Sequence, residues 1–273
     1  MKPIQLQLKQ ISYSYNGEKQ VLKNVNLDIS QGEKIAILGA NGAGKSTLFT
    51  CMNGVITPDS GEIVIEGKKI TKKNKIELTK KVAFVFQQPD NQIIAPTVLS
   101  EISFGAMNLK LPQEQVLKRV YEAMEYMNLK TFENRATHTL SGGEKKRVTI
   151  ADSIVMQPHI YLFDEPTTAL DPLHQQMLEE VLEKLSQQGK TILLSTHDVD
   201  FAYRFAQRVI VFYKGEIIAD DTAETVFCNN KVLSMSNLKQ PILLQIQHIL
   251  MQKGLLKQCN TFAKNIQQFQ KLI

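Results

Sequence analysis

Three short stretches of this chain hold residues whose types and spacing suit phosphate chemistry. The first is Gly39, Ala40, Asn41, Gly42, Ala43, Gly44, Lys45 and Ser46, in which three glycines lead into a lysine and a hydroxyl. Glycines let successive backbone N–H groups curl around phosphate oxygens, Lys45 can reach β- and γ-phosphates, and the Ser46 hydroxyl can ligate Mg²⁺. A Gly-rich turn alone does not explain why lysine and serine follow at once. The second stretch is Leu140, Ser141, Gly142, Gly143, Glu144, Lys145, Lys146 and Arg147. It stands before a predicted helix over residues 144–156. A helix start offers free N–H groups and the positive end of the helix dipole, which attract an anion. An ordinary Ser-Gly helix cap fits the same residues, so both readings stand at this point. The third is Asp164-Glu165 before Pro166, two carboxylates at the end of an apolar run. Asp164 suits the Mg²⁺ shell, and Glu165 suits a general base for an attacking water.

These groups need elements to hold them. Residues 34–38 are a short continuous apolar run, expected as a strand buried on both faces, and it feeds the first glycine stretch. Thr47 then enters a predicted helix that runs to residue 53, so the stretch has a strand before it and a helix after it. Residues 159–163 and 191–194 read as further buried strands, the first ending in Asp164-Glu165 and the second in Ser195-Thr196-His197-Asp198. Carboxylates at the carboxyl end of a buried strand lie where an α/β sheet binds ligands. Residues 4–8 and 25–29 alternate apolar and polar side chains, which suggests half-exposed antiparallel strands, with Asn16-Gly17 as a turn between them. Residues 61–67 and 81–86 read as strands, and 87–92 as a polar loop. Residues 97–129 read as helical with a break at Leu111-Pro112, and Val116, Val120, Met124 and Met127 make one apolar face. Leu173, Met177, Leu178, Val181, Leu182 and Leu185 mark an amphipathic helix. Lys214-Gly215 reads as a hairpin turn.

From about Ala223 the chain turns rich in Gln, Asn and Lys. Ile242, Ile246, Ile249 and Leu250 recur there at helical spacing, so this part is expected to be a small helical appendage.

The bulk numbers narrow the class. With 273 residues, the chain can bury one large core or two modest ones. No apolar run is long enough for a transmembrane helix, and the N-terminus lacks the apolar core of a signal peptide. Cys51, Cys228 and Cys259 are scattered, without zinc or disulfide spacing. A cytosolic chain is expected. Net charge is +5, and seven lysines crowd residues 68–81, yet no interleaved aromatics or nucleic-acid-binding fold signals accompany them. No nucleic-acid partner is expected.

With the glycine stretch, the Leu140 stretch and the Asp164-Glu165 pair in this order, residues 4–227 resemble the ATP-binding subunit of ABC transporters. Val85-Phe86-Gln87-Gln88-Pro89-Asp90-Asn91-Gln92, Ser195-Thr196-His197-Asp198-Val199-Asp200 and the extension past Phe227 look most like the ATPases of energy-coupling-factor importers. They look especially like the cobalt/nickel type, although Gln88 stands where the family more often has Asn. Vitamin-type members share the Pro-Asp-Asn-Gln segment.

The resemblance implies an α/β fold, a P-loop NTPase core of ABC-ATPase type. It would carry an N-terminal antiparallel β subdomain, a helical subdomain inserted at about 97–157, and a small C-terminal helical appendage over 228–273. It implies ATP held by Tyr15, stacked on adenine, and by residues 39–47, with Mg²⁺ held by Ser46, Gln87 and Asp164. Glu165 would be the base, Gln87 would sense Mg²⁺ and the attacking water, and His197 would contact the γ-phosphate. Ser141, Gly142, Gly143 and Glu144 would serve ATP bound to another subunit, and Asp171 would lie across the dimer seam.

The expected partners are a second ATPase subunit, as a homodimer or a paralogous heterodimer, and integral-membrane coupling and substrate-binding subunits. They would hold the chain peripherally at the cytoplasmic face of the cell membrane. A soluble ATPase of the same family acting on nucleic acid or the ribosome would bring tandem cassettes, a long coiled coil or a strongly basic face, and the sequence has none of these.

Overall fold

The computed structural model describes residues 2–17, 19–107, 111–256 and 262–272. The two alternating N-terminal stretches form β1 (Ile4–Tyr15) and β2 (Lys19–Ser30), paired antiparallel. Asn16 and Gly17, at φ 55° and 72°, turn the chain between them. The apolar run becomes β3 (Lys34–Leu38), followed by α1 (Lys45–Met52), and then β4 (Ser60–Ile65) and β5 (Lys68–Lys69) complete a sheet of order β2-β1-β4-β5. The lysine-rich run is divided among β5, a turn and α2 (Lys75–Lys81), and β6 (Val82–Val85) follows directly.

The helical stretch resolves into α3 (Val98–Met107), α4 (Gln113–Tyr126) and α5 (Gly142–Val155). Pro112 directly precedes α4, where its missing N–H costs nothing. Val116, Val120, Met124 and Met127 are all buried. The remainder runs β7 (Ile160–Asp164), α6 (Pro172–Gln187), β8 (Thr191–Ser195), α7 (Val199–Phe205), β9 (Arg208–Tyr213) and β10 (Glu216–Thr222). Among the described residues, four short helices close it: α8 (Ala223–Cys228), α9 (Asn230–Ser236), α10 (Ile242–Gln252) and α11 (Ile266–Gln270). Lys214 and Gly215, at φ 49° and 90°, make the tight hairpin turn expected between β9 and β10.

The second sheet has the order β10-β9-β3-β8-β7-β6, and all its neighbours pair in parallel except β10 with β9. Successive residues of a strand face opposite sides, so a buried strand needs apolar residues at every position. Along β3, Ile35 and Ile37 join a core shared with β1, β2, β4 and α1. Ala36 and Leu38 join a second core with α3 to α6 and the C-terminal helices. Cys51 is buried in the first core, where burial pushes its thiol up to about 12. Cys228 is exposed, and Cys259 lies outside the described residues.

Two expected apolar faces need correction. Leu173 is exposed: it sits in the first turn of α6, beside the exposed Asp171, while Leu178, Val181, Leu182 and Leu185 carry the buried stripe. In α10, Ile242, Ile246 and Ile249 face outward, and the helix buries Leu244 and Gln247 instead. A glutamine fits there because its amide takes both backbone groups of Ala263, accepting from the N–H at 2.7 Å and donating to the carbonyl at 3.0 Å. The C-terminal helices share the second core through Phe227, Val232, Leu233 and Leu244. No helix among the described residues is long and apolar enough to cross a membrane.

Candidate active site

Four adjacent parallel strands, in the order β3-β8-β7-β6, each release one chemical group at their carboxyl ends. β3 leads to the glycine loop, β8 ends at Ser195 two residues before His197, β7 ends at Asp164-Glu165, and β6 is followed by Phe86 and Gln87. Adjacent strand ends thus bring together groups that are far apart in the sequence. A cleft of about 390 Å³ lies there, lined by Tyr15, Val21, Asn41, Gly42, Ala43, Gly44, Lys45, Ser46, Thr47, Gln87, Asp164 and Glu165.

The loop itself is tightly seated. A side chain on Gly39, at φ 146°, would meet the Phe212 carbonyl oxygen at 2.3 Å, so only glycine lets the loop leave β3 beside β9. The Lys45 ammonium donates to the Gly39 carbonyl at 2.7 Å and to that of Ala40 at 3.3 Å. Burial lowers its pKa, and the charges of Glu165 and Asp164 oppose that fall. Tyr15, half-exposed at the cleft wall, shares a hydrogen bond of 3.2 Å with the Thr47 hydroxyl and packs edge-on against Tyr13.

Asp164 and Glu165 are both buried, at 4% and 5% exposure. The Ser195 hydroxyl donates to Asp164 Oδ1. The Glu165 N–H donates to the Ser195 carbonyl and hydroxyl, each at 3.1 Å. Glu165 sits at φ 46°, a left-handed conformation that costs a non-glycine residue energy, and these bonds hold it there. His197 Nδ1 meets Glu165 Oε2 at 2.9 Å while most of the ring stays exposed.

Ser141, Gly142, Gly143 and Glu144 do not line this cleft. Ser141 is the N-cap of α5 in a reciprocal capping box. Its hydroxyl accepts from the Glu144 N–H at 3.3 Å, and the Glu144 carboxylate accepts from the Ser141 N–H at 2.7 Å. That bond, with Arg135 beside it, holds the Glu144 carboxyl below its ordinary range. A side chain on Gly143 would meet the Ala169 carbonyl oxygen at 2.9 Å, so α5 starts in close contact with the segment that precedes α6. Asp171 caps α6, accepting from the His174 N–H at 2.9 Å and pairing with its ring at 2.7 Å.

Two residues at this site carried no sequence assignment. Ser195 holds both carboxylate positions, and its signal was a hydroxyl ending an apolar strand. Lys146 is fully buried, and its ammonium donates to the carbonyls of Phe86, Gln87 and Asp164 at 2.8, 3.1 and 3.4 Å. Burial pulls its pKa down to about 8, against the pull of Asp164 and Glu165. Its signal was helical spacing, since it lies four residues before the buried Ile150.

Among the described residues, no group of three or more His, Cys, Asp and Glu side chains could hold a metal on its own. The cleft instead supplies one hydroxyl, one amide and one carboxylate, from Ser46, Gln87 and Asp164. A few hard oxygen donors beside a phosphate site are what Mg²⁺ takes, with phosphate oxygens and water completing its shell. The residues fit.

A family model described as ABC transporter matches residues 22–168. The energy-coupling factor transporter ATP-binding protein EcfA of Methanocaldococcus jannaschii is 43% identical over 250 residues, covering 91% of this chain and 90% of that protein. The chain belongs to the ABC transporter ATPases, in their energy-coupling factor branch. A second such relative, EcfA2 of Methanospirillum hungatei, is 44% identical over 93% of this chain, which spans only 64% of that protein's length. Among solved structures, cbiO1 of Clostridium perfringens, described as part of the ABC transporter complex cbiONQ, is similar at a TM-score of 0.75 and 36% identity. That match covers 91% of this chain and 99% of that one. The dimeric ATP-binding cassette MJ0796, bound to ADP and Pi, is similar at 0.74 and 32%, over 80% of this chain and 98% of its own. This energy-coupling ATPase shares with these cassettes the P-loop fold built on β3 and α1.

Proposed function

We propose that this chain binds ATP with Mg²⁺ in the cleft and hydrolyses it to drive ion uptake, with cobalt or nickel as the transported ion. The observation that carries the reading is the convergence of Lys45, Ser46, Gln87, Asp164 and Glu165, which follow or end β3, β6 and β7, on one cleft at the carboxyl ends of a single sheet. Tyr15 stacks on the adenine, and the N–H groups of residues 39–47 surround the phosphates. Lys45 turns from its loop carbonyls to the β- and γ-phosphates. Ser46, Gln87 and Asp164 would hold Mg²⁺, which offsets phosphate charge when bound. Glu165 orients a water and takes its proton as the water oxygen bonds to the γ-phosphorus. The bond from that phosphorus to the β–γ bridging oxygen breaks, leaving ADP and phosphate. His197, bonded to Glu165 through one ring nitrogen, keeps the carboxylate aimed and offers the other to the γ-phosphate.

The chain works as one of a pair, a homodimer or a heterodimer with a paralogous ATPase. Ser141, Gly142, Gly143 and Glu144 close on the nucleotide of the second subunit, and Asp171 lies at the seam. The position of the capped helix start outside the chain's own cleft supports this, as does the dimeric form of the similar cassette. Integral-membrane coupling and substrate-binding subunits carry the ion and hold the pair at the cytoplasmic face.

The cobalt or nickel assignment rests on the Val85–Gln92 and Ser195–Asp200 segments. Pro89-Asp90-Asn91-Gln92 also favours a second reading, a vitamin importer of the same branch. The test is to purify the tagged chain with its membrane partners and reconstitute the complex into vesicles with internal ATP. Uptake of labelled cobalt or nickel that is lost in Glu165→Gln is expected; uptake of a vitamin instead would replace the substrate assignment.

A further inference from the structure

Directly behind the Ser141 cap, α5 carries three cations in a row, and each goes a different way. Lys145 pairs with the exposed Asp90 at 2.5 Å. Arg147 donates to the carbonyls of Met127 and Asn128, both at 2.9 Å, within the helical region. Lys146 alone reaches out of that region into the sheet, and its side chain has no exposure to solvent. Among the described residues it forms no ion pair, and its acceptors are three backbone carbonyls, matching the three N–H groups of an ammonium. Enclosing a charge this way is costly unless the acceptors are held in place, so the contact fixes both ends of the bond.

The identity of those acceptors gives the contact its meaning. Phe86 and Gln87 follow the end of β6, and Gln87 lines the cleft through its side chain. Asp164 is the last residue of β7 and lines the same cleft. Lys146 therefore holds the backbone of two residues that line the cleft. The helix from which it does so begins at Ser141, little more than one turn away. Gln92 ties the same loop to α5 a second time. Its amide accepts from the Phe86 N–H at 3.3 Å and donates towards the Thr149 carbonyl and Asp152 at 3.5 and 3.4 Å.

We propose that Lys146 is a positioning residue for hydrolysis: it links the helix that starts at Ser141 to the backbone of Gln87 and Asp164, so that seating this helix start on a nucleotide sets the hydrolytic groups of the chain's own cleft. The role rests on the ATP-hydrolysis reading given above. A helix is stiff over one turn, so a shift at residue 141 arrives at residue 146 almost undiminished. Carbonyls bonded to a buried ammonium have no water to exchange with, so they follow it.

The test compares the wild-type chain with Lys146→Met, which keeps the length and removes every donor, and Lys146→Gln, which keeps two N–H donors. For Lys146→Met we expect ATP affinity of the isolated chain within about twofold of wild type and kcat at least about tenfold lower with KM little changed. The Mg²⁺ concentration for half-maximal hydrolysis should rise several-fold. Without reference to activity, backbone amides of residues 82–92 and 160–168 should exchange hydrogen faster, while residues 34–52 keep their protection. Lys146→Gln should regain part of each loss.

Wild-type kcat and an unmoved Mg²⁺ midpoint in Lys146→Met would overturn the role. So would an activity loss that follows only the folded fraction, with exchange rising uniformly. If Lys146→Met does not fold, Lys146→Gln decides by the same measurements. A wild-type chain that hydrolyses no ATP would remove the functional reading and this role with it, whereas an active wild type with an unaffected variant removes this role alone.

Discussion

The cleft at the strand ends and the start of α5 are both built from glycines beside a hydroxyl, yet they are finished differently. At the cleft, the carboxylates, the lysine and the hydroxyl line one shared space, with Ser195 bracing both carboxylate positions and loop carbonyls holding the lysine. At the helix start, the polar groups are turned on one another in a capping box, and none of them faces the chain's own cleft. One region gathers its groups around a cleft of this chain, and the other is a capped surface that stands outside that cleft. The contrast matches the division of chemistry proposed above, in which the chain would supply its own bond-breaking groups and lend its helix start to a neighbour.

The strongest way to break this division is Glu165→Gln. It should leave ATP binding intact and lower kcat by about 10²- to 10⁴-fold, the usual range for a general base, measured as steady-state phosphate release. Normal turnover would remove Glu165 as the base. Next in size is Ser141→Arg, which should lower hydrolysis by about 10²- to 10³-fold while the isolated chain still binds ATP. Mixing these two variants sharpens the comparison, since one site of a mixed pair combines an intact Glu165 with an intact Ser141. A partial return of activity is expected, and no return would argue against sharing between subunits.

Ser195→Ala is a smaller perturbation. It takes a donor from buried Asp164 and an acceptor from the Glu165 N–H, a loss of about 1–3 kcal/mol in folding stability by denaturant titration. A much lower kcat at nearly unchanged ATP affinity should accompany it, and unchanged kcat would show that Asp164 needs no brace.

A further effect lies outside both regions and bears on stability alone. Burial, with Glu101 nearby, pushes the Asp152 carboxyl from 3.8 up to about 7. The folded chain keeps that proton where the unfolded chain has released it, so the stabilisation is full below pH 3.8 and lost as pH rises through about 7. Asp152→Asn cannot ionise. Its stability relative to wild type should therefore grow between those pH values and level off above them, read from denaturation midpoints. A pH-independent difference would contradict this.

The parts of this molecule that were legible in the sequence are those in which local chemistry and final environment agree. β3 is apolar from Ile35 to Leu38 because both its faces are covered there, and Gly39 and Gly44 after it answer contacts that admit no side chain. Lys145 and Lys146 look alike in the sequence but end on opposite terms, one at an exposed acid and one enclosed among carbonyls. That difference is decided by where β6 and β7 happen to end. Ile242, Ile246 and Ile249 misled for a related reason. Helical spacing identifies a stripe, but which stripe turns inward depended on Ala263, whose backbone groups a glutamine could satisfy. The grouping of site residues around one cleft likewise depends on strand order, which no local pattern encodes.

The central place of β3 also has a consequence for how the chain is made. Ile35 pairs with Leu193 on one side and with Arg208 on the other, so both neighbours of this early strand come from far later in the chain. Such distant pairings close large loops before they gain contacts, and they form late. During synthesis, the glycine loop would leave the ribosome long before anything can hold β3 in register. ATP could then act as a folding ligand only after residues up to about 213 have emerged, and a truncated nascent chain would gain nothing from it.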